Sequence, residues 1–462
     1  MAIFCPPGTG HVRRVLGLAL FLWATAALVQ PAWSQTREVK QTFPRLAGIQ
    51  IGGNPYEGSH NDPEYRRAIA KLDVAILSQH ASDETAIAIK RINPKILLGR
   101  YTNVIAVHQQ WCCEHANWRT KISREKGPDP DLAPDWYLRN HEGEKIERWP
   151  GTNLVNITDY VRPDSNGDTW IDYRVKYDYN KWFKNPVWDI WYSDSVFFKP
   201  RYRRDNPGTV SGGRASGADE AAAYRRGHRR HWDGIHEIRP GTIVSVNFNW
   251  YQYQRQTGRW DLEVYDKVVQ SGLFENAMGD PSPAFDTNWK IMYQWYRWAE
   301  TYLKEPAVLL FHVKGSRHDY QFARYSFASA LMGNGFYKLS PDDGHHFGTV
   351  EWFDEFDLAG TATTSWLGLA VTASPDEAWK QGVWRRDFEN GVALVNPRRN
   401  GAQTVTIEPG FRRFVGQQDP AVNNGQPASE ITLAAGDGIL LVRESASNRP
   451  APPNAPDLRI GN

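Results

Sequence analysis

The feature that most constrains this chain is a repeat in which short, nearly continuous apolar segments alternate with charged, helix-like ones. Arg45 to Gly53, Leu72 to Leu77 and Lys95 to Tyr101 are compact apolar runs, and Asp62 to Lys71 and Asp83 to Ile92 between them have helical character. Strands that are apolar throughout are buried on both faces, and neighbours joined through helices run parallel. The pattern resumes with Asp172 to Phe183 as helix, Val187 to Val196 as strand, Ala218 to His231 as helix and Gly241 to Asn249 as strand. It continues through a helix at Leu262 to Ser271, a strand ending at Glu275, an aromatic helix at Asn288 to Leu303 and a strand at Ala307 to Val313. A helix at Tyr325 to Met332 and a strand at Gly335 to Leu339 complete it. Eight such strands predict an α/β fold, a (β/α)8 TIM barrel, over residues 45–367.

Between residues 102 and 180 the alternation pauses. Long irregular segments inside compact domains usually carry function, and this one is rich in Trp, Pro, Asp and Gly. Trp136 to Gly143 and Trp149-Pro-Gly151 predict a hairpin and turn above the barrel mouth. Asp164, Asn166, Asp168 and Asp172 place oxygen ligands as a calcium loop does, but glycine stands at the fourth position rather than the sixth and Val175 occupies the twelfth. A solvated Asx-rich turn explains the same residues, and no cofactor is required. From residue 368 to 444 the texture changes to short strands with a hairpin turn at Glu389-Asn-Gly391, which predicts a small C-terminal antiparallel β domain. The Pro- and Ala-rich stretch 445–462 is expected to be disordered.

Arg13 and Arg14, the apolar run Val15 to Val29 and the small residues around Ala32-Trp33-Ser34 predict a secretory signal over residues 1–35, followed by a linker at 36–44. The apolar run is short for a bilayer span of about 20 residues. The expectation is therefore an exported protein, secreted or periplasmic, with no stable membrane insertion after cleavage. Cys5 lies in that signal, so a disulfide would have to join the adjacent Cys112 and Cys113 in a strained ring. A net charge of +2 argues against a nucleic-acid platform. With 13% aromatic residues and 20 Trp, the chain is well supplied with flat apolar faces bearing a polar edge, which suit a carbohydrate as well as a core. Oligomeric state cannot be read from these features.

In such a barrel the chemistry sits at the C-terminal ends of the strands. Two strands end by presenting one carboxylate each, Asp194 and Glu275. A pair of acids flanking one bond is what glycoside hydrolysis needs, one to protonate the leaving oxygen and one to act as nucleophile or base. Asp189 competes on the same strand but sits toward the barrel bottom, where residues serve stability. Other strand ends offer Asn54, Tyr56, His80, Arg100, Tyr101, Trp191, Asn249, Trp250, His312 and Lys314 as groups to bind hydroxyls, and Asp354 and Glu355 form a second acid pair after the last strand. No metal site is expected, since His345 and His346 lack a third ligand at a diagnostic spacing. Gly-x-Ser-x-Gly, the phosphate-binding Gly-x-x-x-x-Gly-Lys-Ser/Thr loop and His-Glu-x-x-His are all missing from the sequence.

Trp188-Asp-Ile-Trp-Tyr-Ser-Asp-Ser195 resembles the fourth-strand motif of barrel glycoside hydrolases, in which an aspartate after an apolar strand is the nucleophile. Phe274-Glu-Asn-Ala-Met-Gly279 resembles a later-strand acid/base motif. With Phe353 to Asp357, Arg385 to Pro397 and the long insertion, the chain resembles the bacterial family called hypothetical glycosyl hydrolase 15-like over most of Arg45 to Arg443. In one departure, Ile190 stands where glycine often follows the first aspartate. The resemblance implies a barrel glycosidase acting on a poly- or oligosaccharide, with Asp194 as nucleophile, Glu275 as acid/base and retention as the favoured outcome. The competing reading is a carbohydrate-binding or surface polysaccharide assembly protein that keeps the barrel without turnover.

Overall fold

The structure is a computed structural model and describes residues 37–49, 62–79, 81–108, 136–140, 142–149, 152–197, 208–209, 218–248, 268–274, 277–278, 288–342, 350–358 and 365–444. Eight apolar segments form one parallel sheet: β1 (Ala47–Ile49), β2 (Val74–Leu77), β3 (Leu97–Asn103), β8 (Ile190–Val196), β10 (Ile243–Phe248), β11 (Ser271–Phe274), β12 (Val308–Gly315) and β13 (Phe336–Pro341), paired in that order. Among the described residues one parallel bridge, Leu46 to Tyr337, brings the last strand back to the first. Tyr337 N donates to Arg45 O there at 2.9 Å. The chain is therefore the expected (β/α)8 barrel.

Helix caps explain where the crossovers begin. The first helix, α1 (Pro63–Ala70), starts on Asp62, whose carboxylate accepts from Glu64 N, with Pro63 at its first turn. Ser82 caps α2 (Asp83–Ile92), which carries Asp83 and Glu84 in its first turn and Lys90 and Arg91 in its last, matching the helix dipole. A capping box between Thr169 and Asp172 starts α3 (Trp170–Asp178), which runs on into one π-helical turn, Tyr179–Phe183. Three further helices follow: α4 (Ala218–Ile238), α5 (Trp289–Tyr302) and α6 (Tyr320–Leu331). The helix expected up to Ser271 does not extend that far, because Ser271 opens β11 and pairs with both Ser245 and Val308. Among the described residues no helix is long and apolar enough to cross a membrane.

The interruption after β3 builds a small subdomain. Strands β4 (Ala106–His108), β7 (Thr152–Leu154) and β6 (Glu147–Trp149) form one antiparallel sheet, and β5 (Arg139–Asn140) pairs with β9 (Gly208–Thr209). Its core includes Trp136, Leu138, Ile146, Val155, Ile157 and Trp170, closed by Tyr224 of α4. Gly227 lets the Ile157 carbonyl approach the backbone of α4 where a methyl group would collide with it. The four candidate calcium ligands do not converge. Asp164 accepts from the backbone N of Asn166 and Asp168 in an Asx turn, the Asp168 carboxylate pairs with Lys176, and Asp172 accepts from Thr169 and Arg230.

The C-terminal segment forms two antiparallel sheets. One joins β14 (Trp384–Phe388), β15 (Gly391–Asn396), β19 (Asp437–Arg443) and β17 (Phe411–Arg413), and the other β16 (Gln403–Thr406) and β18 (Glu430–Leu433). Val392, Leu394, Val405, Phe411, Ile431 and Leu441 supply their shared core. This β domain lies on α6, where Gly438 admits the backbone of Arg324 at close range. Arg324, itself buried, pairs with Asp419 and Asp437.

Candidate active site

Strand periodicity decides what enters the barrel. Ala47, Ile49, Val74, Ile76, Leu97, Ile190, Tyr192, Ile243, Leu273, Val308, Leu310 and Phe336 share one core cluster, and along each strand they are two residues apart. Continued toward the C-terminal ends, the same parity points Tyr101, Asp194, Asn247, His312, Lys338 and Ser340 inward. The interior thus changes from an apolar floor to a polar ring at the end where barrel enzymes place their chemistry.

Asp194 stands at the centre of the described contacts. Tyr101 donates its hydroxyl to Asp194 Oδ2 at 3.0 Å, Ser195 donates to the same oxygen at 3.1 Å, and Asn247 Nδ2 donates to Oδ1 at 2.9 Å. The three donors come from β3, β8 and β10, which are adjacent in the sheet with Asn103 opposite Asp194. Across the barrel, His312 Nε2 and Ser340 Oγ are hydrogen-bonded at 2.9 Å, and Lys338 pairs in register with His312. Burial pushes the Lys338 ammonium down to about 8, against the opposing attraction of Glu351. Lys314, one inward position beyond His312, is half-buried at the rim.

Four residues expected to bind substrate are placed elsewhere. Arg100 and Trp191 have the opposite parity to Tyr101 and Asp194 and face the helix layer. The Arg100 guanidinium lies 4.4 Å from the Trp188 ring centre and donates to the carbonyls of Trp182 and Ala81. Trp191 stacks on Phe183 with ring centres 4.0 Å apart. Asp354 and Glu355 fasten the β domain: Asp354 accepts from the backbone N of Gln417 and Gln418, and Glu355 accepts from Asn423 Nδ2 at 2.6 Å. Burial raises the Glu355 carboxyl above its ordinary range, opposed by that Asn423 bond. Asn54, Tyr56, His80, Asn249, Trp250 and Glu275 lie outside the described residues, as do the signal at 1–35, Cys112, Cys113, His345, His346 and the tail at 445–462.

Asp189 is bound at the opposite end of the sheet. Lys90 Nζ lies 2.7 Å from its Oδ2 and Arg37 is 3.5 Å from Oδ1, while Leu98 N donates to Oδ2 at 2.9 Å. It ties the first turns of the sheet together, as its early position in the strand implied. Ser195, Lys338 and Ser340 were not singled out in the sequence. Counting by twos from Leu97, Ile190 and Phe336 would have found Lys338 and Ser340 and preferred Tyr101 to Arg100. Ser195 departs from that rule because the pairing of β8 with β10 slips by one residue beside it.

No family model matches the sequence, and no curated protein matches it either. Solved structures do. The glycoside hydrolase domain of PelA from Pseudomonas aeruginosa is 11% identical, with 65% of this chain and 95% of that one covered and a TM-score of 0.39. An Anoxybacillus alpha-amylase is 10% identical over 86% of this chain and 97% of its own, with a TM-score of 0.46. The GH36 alpha-galactosidase AgaA from Geobacillus stearothermophilus is 11% identical over 87% of this chain and 56% of its own, with a TM-score of 0.44.

Proposed function

We propose that this chain is an exported glycoside hydrolase that cleaves O-glycosidic bonds of a poly- or oligosaccharide with Asp194 and Glu275. The observation that carries this reading is the inward-facing Asp194 carboxylate at the end of β8, held by Tyr101, Asn247 and Ser195 within a polar ring. Asp189, just before the same strand, is instead paired with the cations Lys90 and Arg37 at the opposite end of the sheet. Glu275 follows directly on Phe274, the last residue of β11. Phe274 before it pairs with Phe311, and Ala277 after it donates to the His312 carbonyl at 2.8 Å, so both flanks are tied to β12. In the proposed reaction Glu275 protonates the glycosidic oxygen as Asp194 attacks the anomeric carbon and the leaving group departs. Glu275 then deprotonates a water that attacks the anomeric carbon and releases Asp194. No metal or cofactor enters these steps.

The retaining course comes from the family resemblance and corresponds to carboxyl groups about 5 to 5.5 Å apart, against roughly 6.5 to 9.5 Å for inversion. Screening the protein on a glycan panel, with anomer-resolved NMR of the first product, tests both the reaction and its stereochemistry. Asp194→Asn and Glu275→Gln are each expected to abolish turnover with the circular dichroism spectrum unchanged. Wild-type turnover in either variant refutes the role assigned to that residue. Binding of a glycan without any product would establish the non-catalytic alternative. Export predicts that N-terminal sequencing of protein recovered outside the cytoplasm begins near Gln35.

A further inference from the structure

We infer that the backbone irregularity at Asp194-Ser195 is an aiming device for the Asp194 carboxylate, with Ser195 and Tyr101 as positioning residues. The inference rests on the nucleophile role proposed for Asp194. Along β8 and β10 the register runs Val246 to Ser193 and then Phe248 to Val196, so three steps of β8 are taken against two of β10. On its other edge β8 stays in register with β3 through Asp194 opposite Asn103. The extra residue is thus confined to the side that carries Asn247. A bulge of this kind bends one strand and re-aims the side chain at the bend.

Ser195 has φ of 61°, in the left-handed region that favours glycine. Glycine there would relax the backbone but would remove a hydroxyl that is in use. Ser195 Oγ donates to Asp194 Oδ2 at 3.1 Å and accepts from Asn103 Nδ2 at 3.4 Å, and the residue is buried. Strain retained at a functional position indicates that the side chain is needed there. A carboxylate oxygen has two lone-pair sites. On Oδ2 both are taken by Tyr101 and Ser195, whereas Asn247 takes one on Oδ1. Among the described residues the arrangement therefore leaves a lone pair of Oδ1 to attack and holds the carboxylate against rotating to offer the other oxygen.

The test compares Ser195→Gly, Ser195→Ala and Tyr101→Phe with Asp194→Asn, by crystal structure and by kinetics on whichever polysaccharide of the panel the wild-type protein cleaves. Ser195→Gly is expected to keep or raise the melting temperature while kcat falls at least tenfold and KM changes less than threefold. Ser195→Ala loses the hydroxyl but keeps the strain, so its kcat falls similarly and its melting temperature drops below that of the glycine variant. In the Ser195→Gly crystal the Asp194 carboxylate is expected to rotate or to occupy more than one orientation. An unrotated, single Asp194 conformer in that crystal, or wild-type kcat in Ser195→Gly, overturns the inference. If those results accompany an inactive Asp194→Asn, the proposed function stands without it, and if Asp194→Asn turns over normally, both fall.

Discussion

Two buried histidines in α4 should each cost stability as pH falls below the ordinary imidazole range. His228 and His231 are fully buried one helical turn apart, and among the described residues none of their ring nitrogens has a hydrogen-bond partner. His228 meets Tyr224 edge-on and stacks on Trp232, while His231 meets the edge of Trp191. Burial holds both imidazoles down at about 3, and for His231 the nearby His228 and Arg174 of α3 act in the same direction. Both pKa values lie below the ordinary 6.5, so as pH falls through 6.5 the unfolded chain takes up protons that the folded one refuses. Stability is complete above about pH 6.5 and drains away below it. At pH 5 each ring costs about 2 kcal/mol, from about 1.5 pH units at 1.36 kcal/mol each, or about 4 kcal/mol for the pair. Asp178, Glu300 and Glu355 act oppositely, since burial raises their carboxyls. The assay is therefore a difference: urea unfolding at pH 8 and pH 5 for the wild type and for His228→Leu/His231→Leu. The wild type should lose about 4 kcal/mol more than the double variant over that interval, and at pH 8 the two should differ by about 1.5 kcal/mol or less for a near-isosteric exchange. Parallel pH dependences in the two proteins would refute the reasoning.

Other positions give separate tests. Gly227→Ala, which in an exposed helix would gain about 1 kcal/mol, should here destabilise and expose the insertion to proteolysis, because the new methyl meets the Ile157 carbonyl; equal or greater stability in thermal melts would show that the contact yields freely. Arg324→Met strands Asp419 and Asp437 at the junction with the β domain and should cost roughly 3 kcal/mol in urea unfolding; a cost under about 1 kcal/mol would place those pairs among the weak surface ones. Asp189→Asn and Asp194→Asn should behave in opposite ways. The first leaves Lys90 buried without its carboxylate and should lose roughly 3 kcal/mol of stability while retaining kcat, and the second should lose kcat while keeping its melting temperature.

The barrel was legible because its strands are apolar on both faces, a composition that admits few other folds, and because caps such as Asp62 and Ser82 mark where helices begin. The position of Asp194 near the C-terminal end of an apolar strand was legible for the same reason. Arg100 and Trp191 misled because a strand end offers two faces, and only the phase of the alternation tells which one looks into the barrel. Asp354 and Glu355 misled in another way, since their position after the last strand is also where the β domain must be fastened. Ser195 could not be read at all. A positive φ on serine contradicts its intrinsic preference, and nothing local announces a bulge whose cause is the pairing of β8 with β10.

The seam that closes the barrel has a consequence for its modularity. Phe43, just before β1, is bonded in both directions to the chain entering the β domain, accepting from Leu367 N and donating to Gly368 O. Arg45 donates to the carbonyl of Asn334 ahead of β13, and Arg386 of β14 donates to the side chain of that same asparagine. The first strand, the last strand and the β domain are therefore buckled together at the end of the barrel opposite the polar ring. Shortening the chain before residue 368 would unfasten the seam rather than trim an accessory, so lesions in the β domain should register as lost yield and protease sensitivity before they alter any substrate preference. A fusion or a domain exchange would have to carry Phe43 and Gly368 across as one unit.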